Sequence, residues 1–163
     1  MAEVGGAGDE TGTSTWTSGI ALGNAFLADR PATLEAFSIY LGVSASCDID
    51  AAVFSSGLFK TGTWELEWTE SDIPFTSGTG WIESGPVGLL LVPGEHYAAV
   101  LGLRCAGSTT TIHYQLPVGG TTGAGDIVGT AQNLTYAAAW STDAVFTHQA
   151  IATLAQRFYV TDL

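Results

Sequence analysis

"HYAAVLGLRC" (96–105) places Tyr97, Ala99, Leu101, Leu103 and Cys105 on one face of an extended chain. The apolar run "VGLLLV" (87–92) lies directly upstream and ends at the turn pair Pro93-Gly94. A second alternating segment, "CDIDAAVF" (47–54), puts Cys47, Ile49, Ala51 and Val53 on one side, with Asp48 and Asp50 on the other. Both segments read as strands with one face toward a core and one toward water.

The pattern recurs outward from these two segments. In "ATLEAFSIYLG" (32–42) Phe37, Ile39 and Leu41 share a face. "TTIHYQL" (110–116), "LTYAAAW" (134–140) and "LAQRFYVTDL" (154–163) are further predicted strands, and residues 14–17, 20–27, 63–69 and 80–83 are weaker ones. "THQAIATLAQRF" (147–158) fits an amphipathic helix through Ala150, Ile151, Leu154, Ala155 and Phe158. The β-formers Phe158, Tyr159, Val160 and Thr161 favour a strand there. The expectation is an all-β, two-sheet antiparallel β-sandwich, jelly-roll-like, with about eight to eleven strands. Residues 1–13 read as a flexible Gly-rich arm and 14–163 as a single domain.

Sixteen acidic residues against four basic ones give a formal charge of −12. A field of that sign repels phosphate backbones, which argues against nucleic-acid binding. No apolar run reaches the roughly 18 residues of a membrane-spanning helix, so insertion is not expected. The opening "MAEVGGAGDETG" lacks the basic and apolar regions of a signal peptide. Removal of a signal, a chain cut from a longer protein and a protein never secreted all fit that start.

The order of "GNAFLADRPATLEAFSIYLG" (23–42), "DIDAAVFSS" (48–56) and "GTGWIESGPVGLLLVPGEHYAAVLGL" (78–103) resembles the jelly-roll domains of secreted bacterial proteins, the choice-of-anchor-type and related families of myxobacteria and their relatives. The resemblance covers about residues 20–105 and rests on structural motifs. It implies an extracellular or cell-surface location and a non-catalytic role, and it brings no catalytic residues with it.

Cys47 and Cys105 end two predicted strands and share parity with the apolar faces. If those strands are antiparallel neighbours, one disulfide closes a loop of about 60 residues, which contributes on the order of 4 kcal/mol. Such a bond belongs to an oxidising compartment. The alternative is two independent buried thiols.

"TWELEWTE" (63–70) sets Trp64, Leu66 and Trp68 on one face and Glu65 and Glu67 on the other. Trp64 and Trp68 would lie about 13 Å apart at roughly 3.3 Å per residue, a spacing that suits rings two or three sugar units apart. Strict alternation also describes a core wall, and the sequence favours that reading. Trp81 in "GTGWIESG" and Trp140 at the end of "YAAAW" are candidates for contacts at loop tips.

Asp9, Asp48, Asp50 and Asp126, with Glu10 and Asp72, are candidate calcium ligands, since calcium takes about six to eight oxygens from carboxylates and carbonyls. No segment matches a dedicated calcium loop. His96, His113 and His148 are scattered, and no nucleophile elbow, zinc motif or phosphate loop occurs. "NLT" (133–135) is a glycosylation sequon by form only. The sequence therefore predicts a non-catalytic module that binds glycan, or one that self-associates with like subunits in a layer, filament, matrix or capsid-like assembly.

Overall fold

The computed structural model describes residues 2–4, 12–16, 19–60, 63–75, 77–105 and 108–163, with only the backbone course for 2–4. Every element among them is a strand, and every pairing is antiparallel. The first five are β1 (Ala2–Val4), β2 (Gly12–Trp16), β3 (Ile20–Leu27), β4 (Ala32–Val43) and β5 (Asp48–Ser56). Next come β6 (Glu65–Glu70), β7 (Gly78–Glu83), β8 (Leu89–Leu91), β9 (His96–Arg104) and β10 (Thr110–Gln115). The last four are β11 (Ile127–Asn133), β12 (Thr147–Gln149), β13 (Thr153–Leu154) and β14 (Gln156–Asp162).

These strands form two packed sheets. Sheet A has eight strands among the described residues, with β4 at its centre, β14 and β10 along one edge of β4, and β7 and β8 along the other. Sheet B has six, in the order β12-β11-β3-β9-β5-β6. The chain passes from one sheet to the other at most connections, the habit of jelly-roll sandwiches. There are more strands than the sequence suggests because β1, β8, β12 and β13 are pieces of two or three residues.

The main core lies between the sheets and contains the predicted inward sets, including Phe37, Ile39 and Leu41 of β4, Ile49, Ala51 and Val53 of β5, and Tyr97, Ala99, Leu101 and Leu103 of β9 with Cys105 just after it. Two buried amides cross it. The backbone N–H of Asn24 donates to Oε1 of Gln156 at 2.8 Å, and Nε2 of Gln156 donates to the Ala99 carbonyl at 3.0 Å. Asn24 also donates to and accepts from the backbone of Leu154. The oxygen and the nitrogen of each side-chain amide find a partner in the other sheet, so the pair fixes how the sheets register on one another.

One sequence-based expectation changes, the strand favoured over a helix at 147–158 is found, and the Gly-rich arm is seen in part. Residues 134–140 form no strand; they fold as turns and bends over the outer face of sheet B. The strand lies just before them, as β11, where Gly129, Thr130 and Gln132 obscure the apolar pattern. The stretch 147–158 is extended rather than helical, broken into β12, β13 and the start of β14. Of the Gly-rich arm, Ala2–Val4 pairs with β14 and residues 12–13 belong to β2, while the rest lies outside the described residues.

Candidate functional site

The folding of the site begins at Asp50, which is fully buried although its strand parity points it away from the main core. Residues 134–146, with Trp64 and Phe59, cover that outer face of sheet B and build a second apolar cluster on Phe54, Ala98 and Val100. Under this cover Arg104 grips Asp50 with two bonds, Nε to Oδ2 at 2.9 Å and Nη2 to Oδ1 at 3.1 Å. The Tyr136 hydroxyl donates to Oδ2 at 2.7 Å. Burial pushes the Asp50 carboxyl up, but the Arg104 and Tyr136 bonds and the Asp72 N–H outweigh it and hold the group below its ordinary value. Burial and the bond to Asp50 raise the Tyr136 hydroxyl, which stays protonated as the donor.

Gly102 makes room for this arrangement. It faces Asp50 in the β5–β9 register, and a Cβ there would run into the Tyr136 ring. The Cys47–Cys105 disulfide closes the same end of the sheet, one step beyond the Asp48–Arg104 pair.

The buried cluster anchors an exposed loop. The Asp72 N–H donates to Oδ1 of Asp50 at 3.3 Å, and the N–H of Ile73 donates to the Ile49 carbonyl at 2.7 Å. Asp72 adopts a positive φ of 58°, uncommon for a residue with a side chain. Ile73 and Phe75 pack against the main core. The loop is thus held from both sides as it crosses from β6 to β7.

A cleft of about 610 Å³ opens between this loop and the segment that follows β7. Phe75, Trp81, Pro74 and Pro86 give it apolar surface, and Glu70, Asp72 and Glu83 line it with carboxylates. Its second wall is as firmly set as its first. The hydroxyl of Ser84 accepts the Phe37 N–H at 3.0 Å and donates to the Gly85 carbonyl at 2.8 Å. No lysine, arginine or histidine is among the residues lining the cleft. Trp81 also belongs to a cluster on sheet A: the Arg157 guanidinium lies 3.8 Å from its ring centroid, and Tyr40 meets it edge-on at 5.3 Å.

No family model, curated protein or solved structure matches the chain. The fold and its surfaces are therefore the ground for any functional reading.

Of the residues singled out from sequence, Cys47 and Cys105 form the disulfide, which fits an oxidising, non-cytosolic environment. The indole row does not survive as a platform. The β5–β6 register shifts between Val53 and Phe54, so that Trp68 pairs with Val53 and Leu66 with Phe54. This β-bulge leaves Glu67 as the extra residue and puts Trp68 on the opposite face from Leu66. Trp68 packs against the main core, while Trp64 is fully buried in the outer cluster and donates its indole N–H to Nε2 of His148 at 3.0 Å. Trp140 lies in the same outer cover, edge-on to Phe54. Of the three proposed ligand-binding tryptophans, Trp81 lines the cleft described above.

Three of the proposed calcium carboxylates gather around an arginine instead of a metal site, with Asp72 3.8 Å from Arg104. Asp50 is committed to Arg104 and Tyr136, Asp48 sits 3.6 Å from Arg104, and Asp126 closes an exposed hairpin with Thr121. Asp9 lies outside the described residues. Among the described residues no three His, Cys, Asp or Glu side chains gather as a metal site, and no helix is long and apolar enough to cross a membrane. Phe75, Glu70 and Glu83 are the cleft residues that sequence reasoning missed; the crossing from β6 to β7 that unites them has no motif of its own.

Proposed function

We propose that this chain is a non-catalytic, extracellular β-sandwich module that recognises carbohydrate in the cleft beside β7. One observation carries the reading: aromatic and proline surface lies beside three carboxylates in a concavity whose two walls are pinned to the sandwich. Aromatic and proline surface suits the apolar face of a pyranose ring, and carboxylates accept hydrogen bonds from its hydroxyls. A site fixed before binding spends little affinity on ordering itself. The acidic lining selects against anionic sugars, so the ligand class is a neutral glycan.

Native gels containing neutral or acidic soluble polysaccharides test this. A neutral polysaccharide should retard the domain, and Trp81→Ala should lose the retardation while keeping the circular dichroism of the parent. Undiminished retardation of Trp81→Ala, or none by any neutral polysaccharide, sinks the proposal.

A second reading, a self-assembling structural subunit, has its own support. Among the described residues β7 pairs only with β4, which leaves the other edge of Gly78–Glu83 open to strand addition. A ladder in the plain gel, growing with protein concentration, would favour it; a single band at all concentrations would count against it.

A further inference from the structure

Ile82 of β7 points into the main core, so Thr79, Trp81 and Glu83 share the outer face of that strand. Thr79 and Glu83 lie about 13 Å apart at roughly 3.3 Å per residue, with Trp81 midway. Trp81 and Glu83 line the cleft. Thr79, at the other end of the strand, lines a different concavity of about 450 Å³. Ser44, Ser77, Thr109 and Thr111 line it as well. They meet there because β7 and β10 flank β4, with Thr79 and Thr111 both opposite Gly42.

No residue lining this hollow is charged. Ser77 and Thr79 are exposed, and Thr109 and Thr111 half-exposed. Ser44 is engaged, accepting the Thr109 N–H at 2.7 Å. The hydroxyls of Ser77, Thr79, Thr109 and Thr111 make no hydrogen bond to protein among the described residues. Each can donate once and accept twice, which matches the hydroxyl of a sugar in both directions. Water satisfies such groups nearly as well, so the hollow alone would hold a sugar weakly. Its place in the fold changes that. Trp81 stands two residues from Thr79 on the same face, so the hollow and the cleft adjoin one aromatic side chain from opposite ends.

We infer that the glycan site is a track along β7, which takes an extended, unbranched, neutral chain of β-1,4-linked pyranoses. The cleft holds one part of the chain, Trp81 the middle, and the hydroxyls of Ser77, Thr79, Thr109 and Thr111 the next part. The inference rests on the glycan reading of the cleft and adds the length and linkage of its ligand. A β-1,4 chain runs straight because both linkage bonds leave each ring equatorially, and a path along an extended strand requires a straight chain. Axial linkages turn a chain aside within a few units. The hydroxyls add affinity only to a chain already seated on Trp81, so they distinguish long oligomers from short ones.

Titration calorimetry with β-1,4-glucan, β-1,4-mannan and β-1,4-xylan oligomers, from disaccharide to hexasaccharide, tests the track. In at least one series the hexasaccharide should bind about tenfold more tightly than the disaccharide. Thr79→Val combined with Thr111→Val removes two hydroxyls at the surface and keeps both side chains β-branched. That double variant should weaken the hexasaccharide about tenfold and leave the disaccharide unchanged. A hexasaccharide no tighter than the disaccharide, or a double variant that treats the two lengths alike, overturns the track and leaves the cleft standing. Retardation by a neutral polysaccharide in native gels, with no binding of any of these oligomers, has the same meaning. No neutral carbohydrate bound in either assay sinks cleft and track together. Should the double variant lose the circular dichroism of the parent, the length series on the parent protein decides alone.

Discussion

The outer faces of the two sheets are finished differently. On sheet B, residues 134–146, Trp64 and Phe59 lie over the strands, so β3, β5 and β9 are buried along almost their whole length. On sheet A the outer residues Tyr40, Trp81 and Arg157 remain half-exposed, with Arg157 over the Trp81 ring and Tyr40 edge-on to it. Alternation tells which side chains share a face of a strand. It says nothing of whether that face meets water, which depends on whether another part of the chain returns to cover it. The site follows this division: the cleft lined by Trp81 lies beside β7 of sheet A, and the covered face of sheet B carries the buried ionic anchor that holds one of its walls.

Substituting one tryptophan from each face breaks the comparison most sharply. Trp64→Ala removes a fully buried indole and its bond to His148 and should cost roughly 3–5 kcal/mol in urea unfolding. Trp81→Ala should cost less than about 1 kcal/mol, because it removes only half-exposed surface. Equal losses would mean that sheet A is covered too.

Reduction of Cys47–Cys105 comes next. The bond closes a loop of 58 residues at the covered end of sheet B. Its loss should destabilise the protein by about 3–4 kcal/mol and lower the thermal midpoint by roughly 10 °C, read with and without reductant. An unchanged midpoint would show that the Asp50 cluster holds that end alone.

Acid gives the smallest effect and separates the two buried groups under the cover. Burial pushes the His148 imidazole below its ordinary value of 6.5, so it is neutral and accepts the Trp64 N–H. A lowered folded value means that the stability it contributes is present above pH 6.5 and lost as pH falls through the folded value. Asp50, held below its ordinary 3.8, contributes stability above that pH and loses it on further acidification. Unfolding free energy should therefore decline in two stages. His148→Gln should flatten the upper stage and Asp50→Asn the lower; a single stage untouched by either variant would assign the acid sensitivity elsewhere.

One pairing of sheet B, that of β5 with β9, becomes legible once the two cysteines are joined. Joining Cys47 to Cys105 sets Asp48 opposite Arg104 and Asp50 opposite Gly102, and the same register runs on to Ser56 and His96. The carboxylate, its arginine and the glycine that admits Tyr136 are thus implied by one pairing. Trp68 was not legible, because a single bulge residue reverses the face of everything beyond it, and "TWELEWTE" contains no sign of where the ladder skips. The cleft was legible only through Trp81. Its other walls meet because the chain changes sheets between β6 and β7.

The sequence by itself determined an all-β sandwich and the inward sets of β4, β5 and β9, and it offered the disulfide as one of two readings of the cysteines, since a period of two and a parity shared by two cysteines are properties of the local chain. Tertiary structure alone decided which outward faces are covered, where Asp50 finds its arginine and which tryptophan reaches a cleft. Those outcomes depend on segments far apart in sequence arriving at the same place, and a side chain's pattern along its own strand carries no record of what packs against it from outside.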